Sequence, residues 1–222
     1  MDVTGIDAAK AGWVAVSIQD GQFSWTVAPS LDEIECGTRT YIDMPIGLEE
    51  DKRRAVDQLL REELKPGRTS SVFNAPLRAA LEQAGYPEAN EYSKQQAGFG
   101  LSKQAWYLLP KIQQVRNCYR PGMVESHPEV CFARLTGHPA RHSKRTVEGM
   151  AERAELLRRY GCPAYWELNV RGVATDDWID ACLLAVAATL PAVYVPDDRP
   201  VDSMGFPLYA ALPKKITFTE MV

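Results

Sequence analysis

The 222 residues suffice for one large domain or two small ones, with a substantial core in either case. A hydrophobic content of 45% and a charged content of 24% are ordinary for a globular protein, and a formal charge of −4 excludes a globally basic nucleic-acid binder, leaving only a local patch for that role. Cys36, Cys118, Cys131, Cys162 and Cys182 are scattered without a CxxC pair, which argues against zinc or a disulfide framework; no apolar run is long enough for a membrane span and no signal-peptide pattern is present, so a cytoplasmic protein is expected.

The chain opens with a strand over 3–7, a second over 13–18 and, after the turn signal Asp20-Gly21, a returning strand over 23–27. This is an antiparallel meander of three strands. Ser30 can cap a short helix over 31–35. A further strand over 39–43 must stop at Met44-Pro45-Ile46-Gly47, because Pro45 removes a backbone donor. Helices are expected over 51–64, 76–84, 88–97 and 102–118, the last interrupted by Pro110. A short strand over 123–126 precedes a helix from Pro128 through Leu135, and a charged surface helix spans 146–160 with Arg153, Arg158 and Arg159 on its basic side. The last helix runs from an N-cap at Thr175 to a stop at Pro191, and a strand is possible over 216–218. One α/β domain with a helical insertion over about 49–120 accounts for this order, with the later strands lying parallel to the first.

The helix after Thr175 has no polar side chain from Ala181 to Ala188, so most of its circumference must be buried. Asp177 and Asp180 lie three apart, on one side of it, at the mouth of that apolar rod. Helix-dipole complementarity explains Asp176 and Asp177; it does not explain Asp180, which needs a cation, a donor or a metal. Asp7, Asp43 and Glu125 each close a strand of the expected parallel set, and ligands of such sheets gather beyond those carboxyl ends. Carboxylates that meet in one place repel one another, and divalent cations with all-oxygen ligation, Mg²⁺ or Mn²⁺, remove that cost. Phosphodiester hydrolysis is the natural chemistry of such a cluster, with phosphoryl transfer from a nucleotide an alternative.

Four motifs, Gly5-Ile-Asp-Ala-Ala-Lys-Ala-Gly-Trp13, Ile42-Asp-Met-Pro-Ile-Gly-Leu48, Glu125-Ser-His-Pro-Glu-Val130 and Asp176-Asp-Trp-Ile-Asp-Ala181, resemble the signatures of the DUF429 family. Weaker matches are Ser71-Val-Phe73, Gly100-Leu-Ser102, and Ser143-Lys144 followed by Thr146, Gly149 and Arg153. Members of that family are predicted to have the ribonuclease H-like fold and to be nucleases. The resemblance implies a mixed sheet of three antiparallel strands followed by two parallel ones, flanked by helices. It is similar in turn to RuvC-type resolvases, whose acids come from the first strand, a later strand end and a helix with acids three apart. By position these fall on Asp7, on Asp43 or Glu125, and on Asp177 with Asp180. The expected metal ligands are therefore Asp7, Asp43, Glu125 and Asp180, and the expected partner is nucleic acid.

Lys10, close to Asp7, and Lys144, within the basic run Arg141, His142, Lys144 and Arg145, are candidate phosphate contacts. His127 is a candidate ligand or proton carrier as well as a helix starter, and Arg68 with Ser70 and Ser71 is a weaker phosphate candidate. Glu129 is expected to serve the helix dipole, and His138 and His142 to be solvated. The phosphate loops GxxxxGK[ST] and GxGxxG are absent, and Ala8-Ala9-Lys10-Ala11-Gly12 lacks the hydroxyl that sugar-kinase and actin-type ATPases place after the first Asp. The second reading is a non-catalytic nucleic-acid- or nucleotide-binding protein that retains the fold.

Overall fold

A computed structural model describes residues 2–215. The opening meander is β1 (Asp2–Ala9), β2 (Gly12–Gln19) and β3 (Gln22–Ala28). Asp20 and Gly21 both take positive φ, 49° and 79°, the pair of left-handed residues that a two-residue hairpin needs to match strand twist. Then come β4 (Arg39–Ile42), α1 (Ala55–Glu63), α2 (Tyr86–Ala97), α3 (Lys103–Asn117), β5 (Met123–Glu125), α4 (Pro128–Thr136), α5 (Val147–Arg159), α6 (Thr175–Thr189), β6 (Ala192–Val195) and β7 (Ala210–Pro213). They form a mixed α/β structure around one seven-stranded sheet of order β3-β2-β1-β4-β5-β7-β6. The antiparallel meander is followed by β4, β5 and β7, each parallel to its predecessor in that order, and β6 pairs antiparallel with β7 at the edge.

Alternation along the strands sorts the core into two layers. Val3, Val14, Val16 and Tyr41 pack with α4, α5 and α6 on one face; Ile6, Trp13, Ala15, Ile42 and Met123 pack with α3 on the other. Gly5 lies under α6, where a Cβ would come within 2.2 Å of the Ala185 nitrogen and 2.3 Å of the Ala181 oxygen. The missing side chain lets the helix rest directly on β1. Arg39 fastens the other end of α6, its Nη1 donating to the carbonyls of Ala188 (2.9 Å) and Leu190 (3.0 Å).

Several expectations shift. The first long helix begins at Ala55 rather than 51, because Arg54 is extended (φ −65°, ψ 134°) and turns its side chain into the protein. The region 76–84 holds only a 3-10 helix at Arg78–Glu82, and Ser30 directs its hydroxyl to the Asp32 carboxylate rather than to a helix backbone. The N-cap of α6 is Ala174, not Thr175; the Asp177 carboxylate accepts from the Ala174 N–H at 2.8 Å. Arg153, read as a surface residue, is fully buried at 0% exposure: with Gly149, Leu156 and Leu157 it lies on the inward stripe of α5. Strands β6 and β7 were not expected, and the possible strand over 216–218 lies outside the described residues.

Candidate active site

Two parallel strands and one helix bring three aspartates together. Ile6 pairs with Ile42 in the β1–β4 ladder, and the Asp43 N–H extends it by donating to the Ile6 carbonyl at 3.0 Å. Asp7 and Asp43 are therefore level, and their parity, shared with Gly5 and Tyr41, points them to the face covered by α6. Asp180, the residue immediately before the Ala181–Ala185 contact with Gly5, meets them there. Asp7 is 8% exposed and Asp180 1%, while Asp43 is half-buried.

The electrostatics record that meeting. Burial, then the charges of Asp180 and Asp43, push the Asp7 carboxyl well above the usual carboxylate range. Asp43 is raised chiefly by burial, against the opposing pull of His127 and Lys144. Asp180 is pushed up to about 7 by burial, with Asp43 adding to it, although the Lys144 ammonium opposes the change. Asp177 is raised by burial and partly relieved by its bond from Ala174. Lys144 is the counter-charge: its Nζ pairs with Asp180 Oδ2 and stands 3.9 Å from Asp176, and although burial opposes it, Asp180, Asp7 and Asp43 raise its pKa. Asp180 Oδ1 remains buried without a partner, and so does His127 Nδ1, whose ring partner Nε2 lies 3.2 Å from the Ser71 carbonyl. That carbonyl can only accept, so Nε2 carries a proton, and in the neutral ring Nδ1 presents a lone pair.

Glu125 lines the cavity over the aspartates but stands apart from them. It pairs with Ile42, one residue short of the Asp7–Asp43 level, so its side chain leaves the opposite face of the sheet. There both oxygens are held by Arg54, at 2.7 Å (Nη1–Oε2) and 2.8 Å (Nη2–Oε1), with the Ile46 N–H at 3.3 Å and Asp57 pairing with the same guanidinium. Ser126 occupies the level position instead, its hydroxyl donating to the Ala211 carbonyl at 2.7 Å. Glu129 is likewise a buried structural acid: Arg153 holds it at 2.7 and 2.6 Å. Lys10 is exposed in the β1–β2 turn and does not line the cavity, whereas His127 and Lys144 do.

The cavity over the acids measures about 470 Å³. Its walls include residues 68–73, the turn at 143–145, the start of α4 and, from α3, Gln104 and Leu108. Arg68 ties two walls together by donating to the carbonyls of Ala140 and Arg141, both at 3.0 Å. A family model described as a protein of unknown function (DUF429) matches residues 5–198. The chain belongs to the DUF429 family. No curated protein and no solved structure matches it.

In this DUF429 chain the motif residues Asp7, Asp43, His127 and Asp180 line the cavity, and so do Ser71, Phe73, Ser143 and Lys144. Thr146, Gly149 and Arg153 stand behind it: the Thr146 hydroxyl caps α5 by accepting from Gly149 N–H at 3.1 Å. Sequence reasoning missed Arg54, Asp57 and Gln104 as lining residues. The signal for Arg54 was available, since a buried Glu125 requires a cation, but nothing local says which of the chain's arginines supplies it.

Proposed function

We propose that this protein is a divalent-metal-dependent phosphodiesterase of ribonuclease H-like architecture that acts on nucleic acid, with Asp7, Asp43 and Asp180 as metal ligands and Asp177 beside them. The observation that carries this reading is the convergence of three aspartates from two strand ends and a helix, at a cost in burial and mutual repulsion that no structural role requires. The strand order β3-β2-β1-β4-β5, antiparallel then parallel, supports the architecture. Among the described residues no three acidic, histidine or cysteine side chains stand already in a metal-holding arrangement. The donor chemistry nevertheless fits: the ligands are all oxygens, suited to Mg²⁺ or Mn²⁺, and the orphaned Asp180 Oδ1 is the buried acceptor a cation would satisfy.

Such an ion, when bound, supplies Lewis-acid stabilisation and an activated water. The chain's own residues do the rest. Asp7 and Asp43 would hold the ion from rigid strand ends, Lys144 would offer positive charge to a phosphate oxygen, and a neutral His127 would accept a proton at Nδ1. The walls at 68–73 and 143–145 limit water. Arg54 holds Glu125 and the turn after Asp43, since its Nη1 also donates to the Gly47 carbonyl at 3.0 Å. Incubation with Mn²⁺ and single-stranded DNA, RNA or branched DNA tests the reading: cleavage of at least one, lost in Asp7→Asn, is the expected result, and cleavage of none sinks it.

The second reading, a non-catalytic nucleic-acid- or nucleotide-binding protein, draws on the Lys144–Asp180 pair, which partly neutralises the acids without any ion.

A further inference from the structure

Lys144 reaches the acids from a turn that is built to hold it there. A Cβ on Gly149 would fall 1.8 Å from the Ser143 carbonyl oxygen, so the turn is pressed against the first residues of α5. The Thr146 N–H donates to Ser143 O at 2.9 Å, and Arg153, fully buried and clamped on Glu129, donates from Nη1 to the Gly149 carbonyl at 2.7 Å. The backbone beneath Lys144 is thus anchored to the interior through two layers. Its ammonium takes Asp180 Oδ2 and leaves Oδ1, buried and without a partner, on the other side of the same carboxylate.

Resting on the metal-dependent reading above, we propose that Lys144 takes the place of a second metal ion, so that the site binds a single divalent cation, held by Asp7, Asp43 and Asp180 Oδ1, with the ammonium as a tethered partner charge. A paired-ion centre needs ligands on both sides of the substrate phosphate. Here the acids nearest that place are already engaged: Asp177 Oδ2 accepts from Ala174 N–H, Lys144 occupies the Oδ2 atom of Asp180, and Asp176 stands 3.9 Å from the same ammonium. A second dication at that place would meet the ammonium already paired with Asp180 Oδ2, and would have to displace it from that carboxylate. The arrangement differs in consequence from a two-ion site: one positive charge beside the phosphate comes from the chain itself, and the lysine, unlike an ion, cannot dissociate.

Counting bound Mn²⁺ by the loss of its free electron paramagnetic resonance signal tests this without reference to turnover. The wild-type chain is expected to bind one ion and Lys144→Arg one, whereas Lys144→Met binds two, its first roughly tenfold more tightly because a like charge has gone. Circular dichroism melting verifies that each variant is folded, and the arginine variant serves independently if the methionine one is not. Two ions in the wild type, or one in both wild type and Lys144→Met, overturn the proposal while leaving a metal site in place. No Mn²⁺ bound by the wild type overturns the metal-dependent reading itself, and this proposal with it.

Discussion

An aspartate that is 8% exposed and faces two others resists ionisation, and Asp7 is that residue. A carboxyl whose folded-state pKa lies above its unfolded value stabilises the fold in its protonated form. That contribution is complete below the ordinary carboxylate range and is lost as pH rises through the folded pKa, which for Asp180 is about 7. Without metal, the wild type should therefore lose stability between about pH 4 and 7, and Asp7→Asn should flatten that decline and be more stable than the wild type at pH 8, by roughly 1–2 kcal/mol. Thermal melts across that range check it; a wild type that gains stability toward pH 8 contradicts it. Arg54 makes the opposite prediction. It holds Glu125 and Asp57 in the interior, so Arg54→Ala strands two buried carboxylates and should cost about 3–5 kcal/mol in denaturant unfolding. A loss under 1 kcal/mol would show that water or another cation substitutes there.

At the scale of elements, α6 decides the site. Its apolar run demanded burial and its acids demanded a partner, and both were legible in the order of residues: Asp177 and Asp180 on one side, Ala181 to Ala188 within the core. What could not be read was parity. Glu125 looks equivalent to Asp7 and Asp43 as a strand-terminal acid, but a register one residue earlier turns it to the opposite face, and register is set by pairing between distant segments. Strands β6 and β7 escaped for a different reason. Ala-Ala-Leu-Pro at 210–213 lacks β-branched residues and alternation because it is buried throughout, and Ala-Val-Tyr-Val at 192–195 is a four-residue edge between prolines. Gly5 is the contact on which α6 depends. Gly5→Ala places a methyl against the helix backbone and should cost roughly 3 kcal/mol or more, measured by chemical denaturation, while weakening Mn²⁺ binding by moving Asp180 away from Asp7. Unchanged stability would mean that α6 does not pack as closely as described.

For the whole molecule, the outline of the fold came from periodicity and turn chemistry, and the seven-stranded sheet extends the five strands expected without displacing them. The site was legible as acids and only partly as a constellation: Asp7, Asp43 and Asp180 gather, while the cations of the neighbouring acids could not be assigned, Arg153 because a buried arginine reads as a solvated one until its stripe on the helix is known and Arg54 because nothing local pairs it with Glu125. Among the described residues no helix is long and apolar enough to cross a membrane. The central claim is that the gathered aspartates form a divalent-metal site, and its most direct test is a Mn²⁺ titration followed by thermal melting of the wild type and of Asp7→Asn. The account predicts that the wild-type midpoint rises by roughly 5–10 °C at a hundredfold excess over Kd, and that the Asp7→Asn midpoint does not move. Equal responses in the two proteins, or none in the wild type, would contradict it.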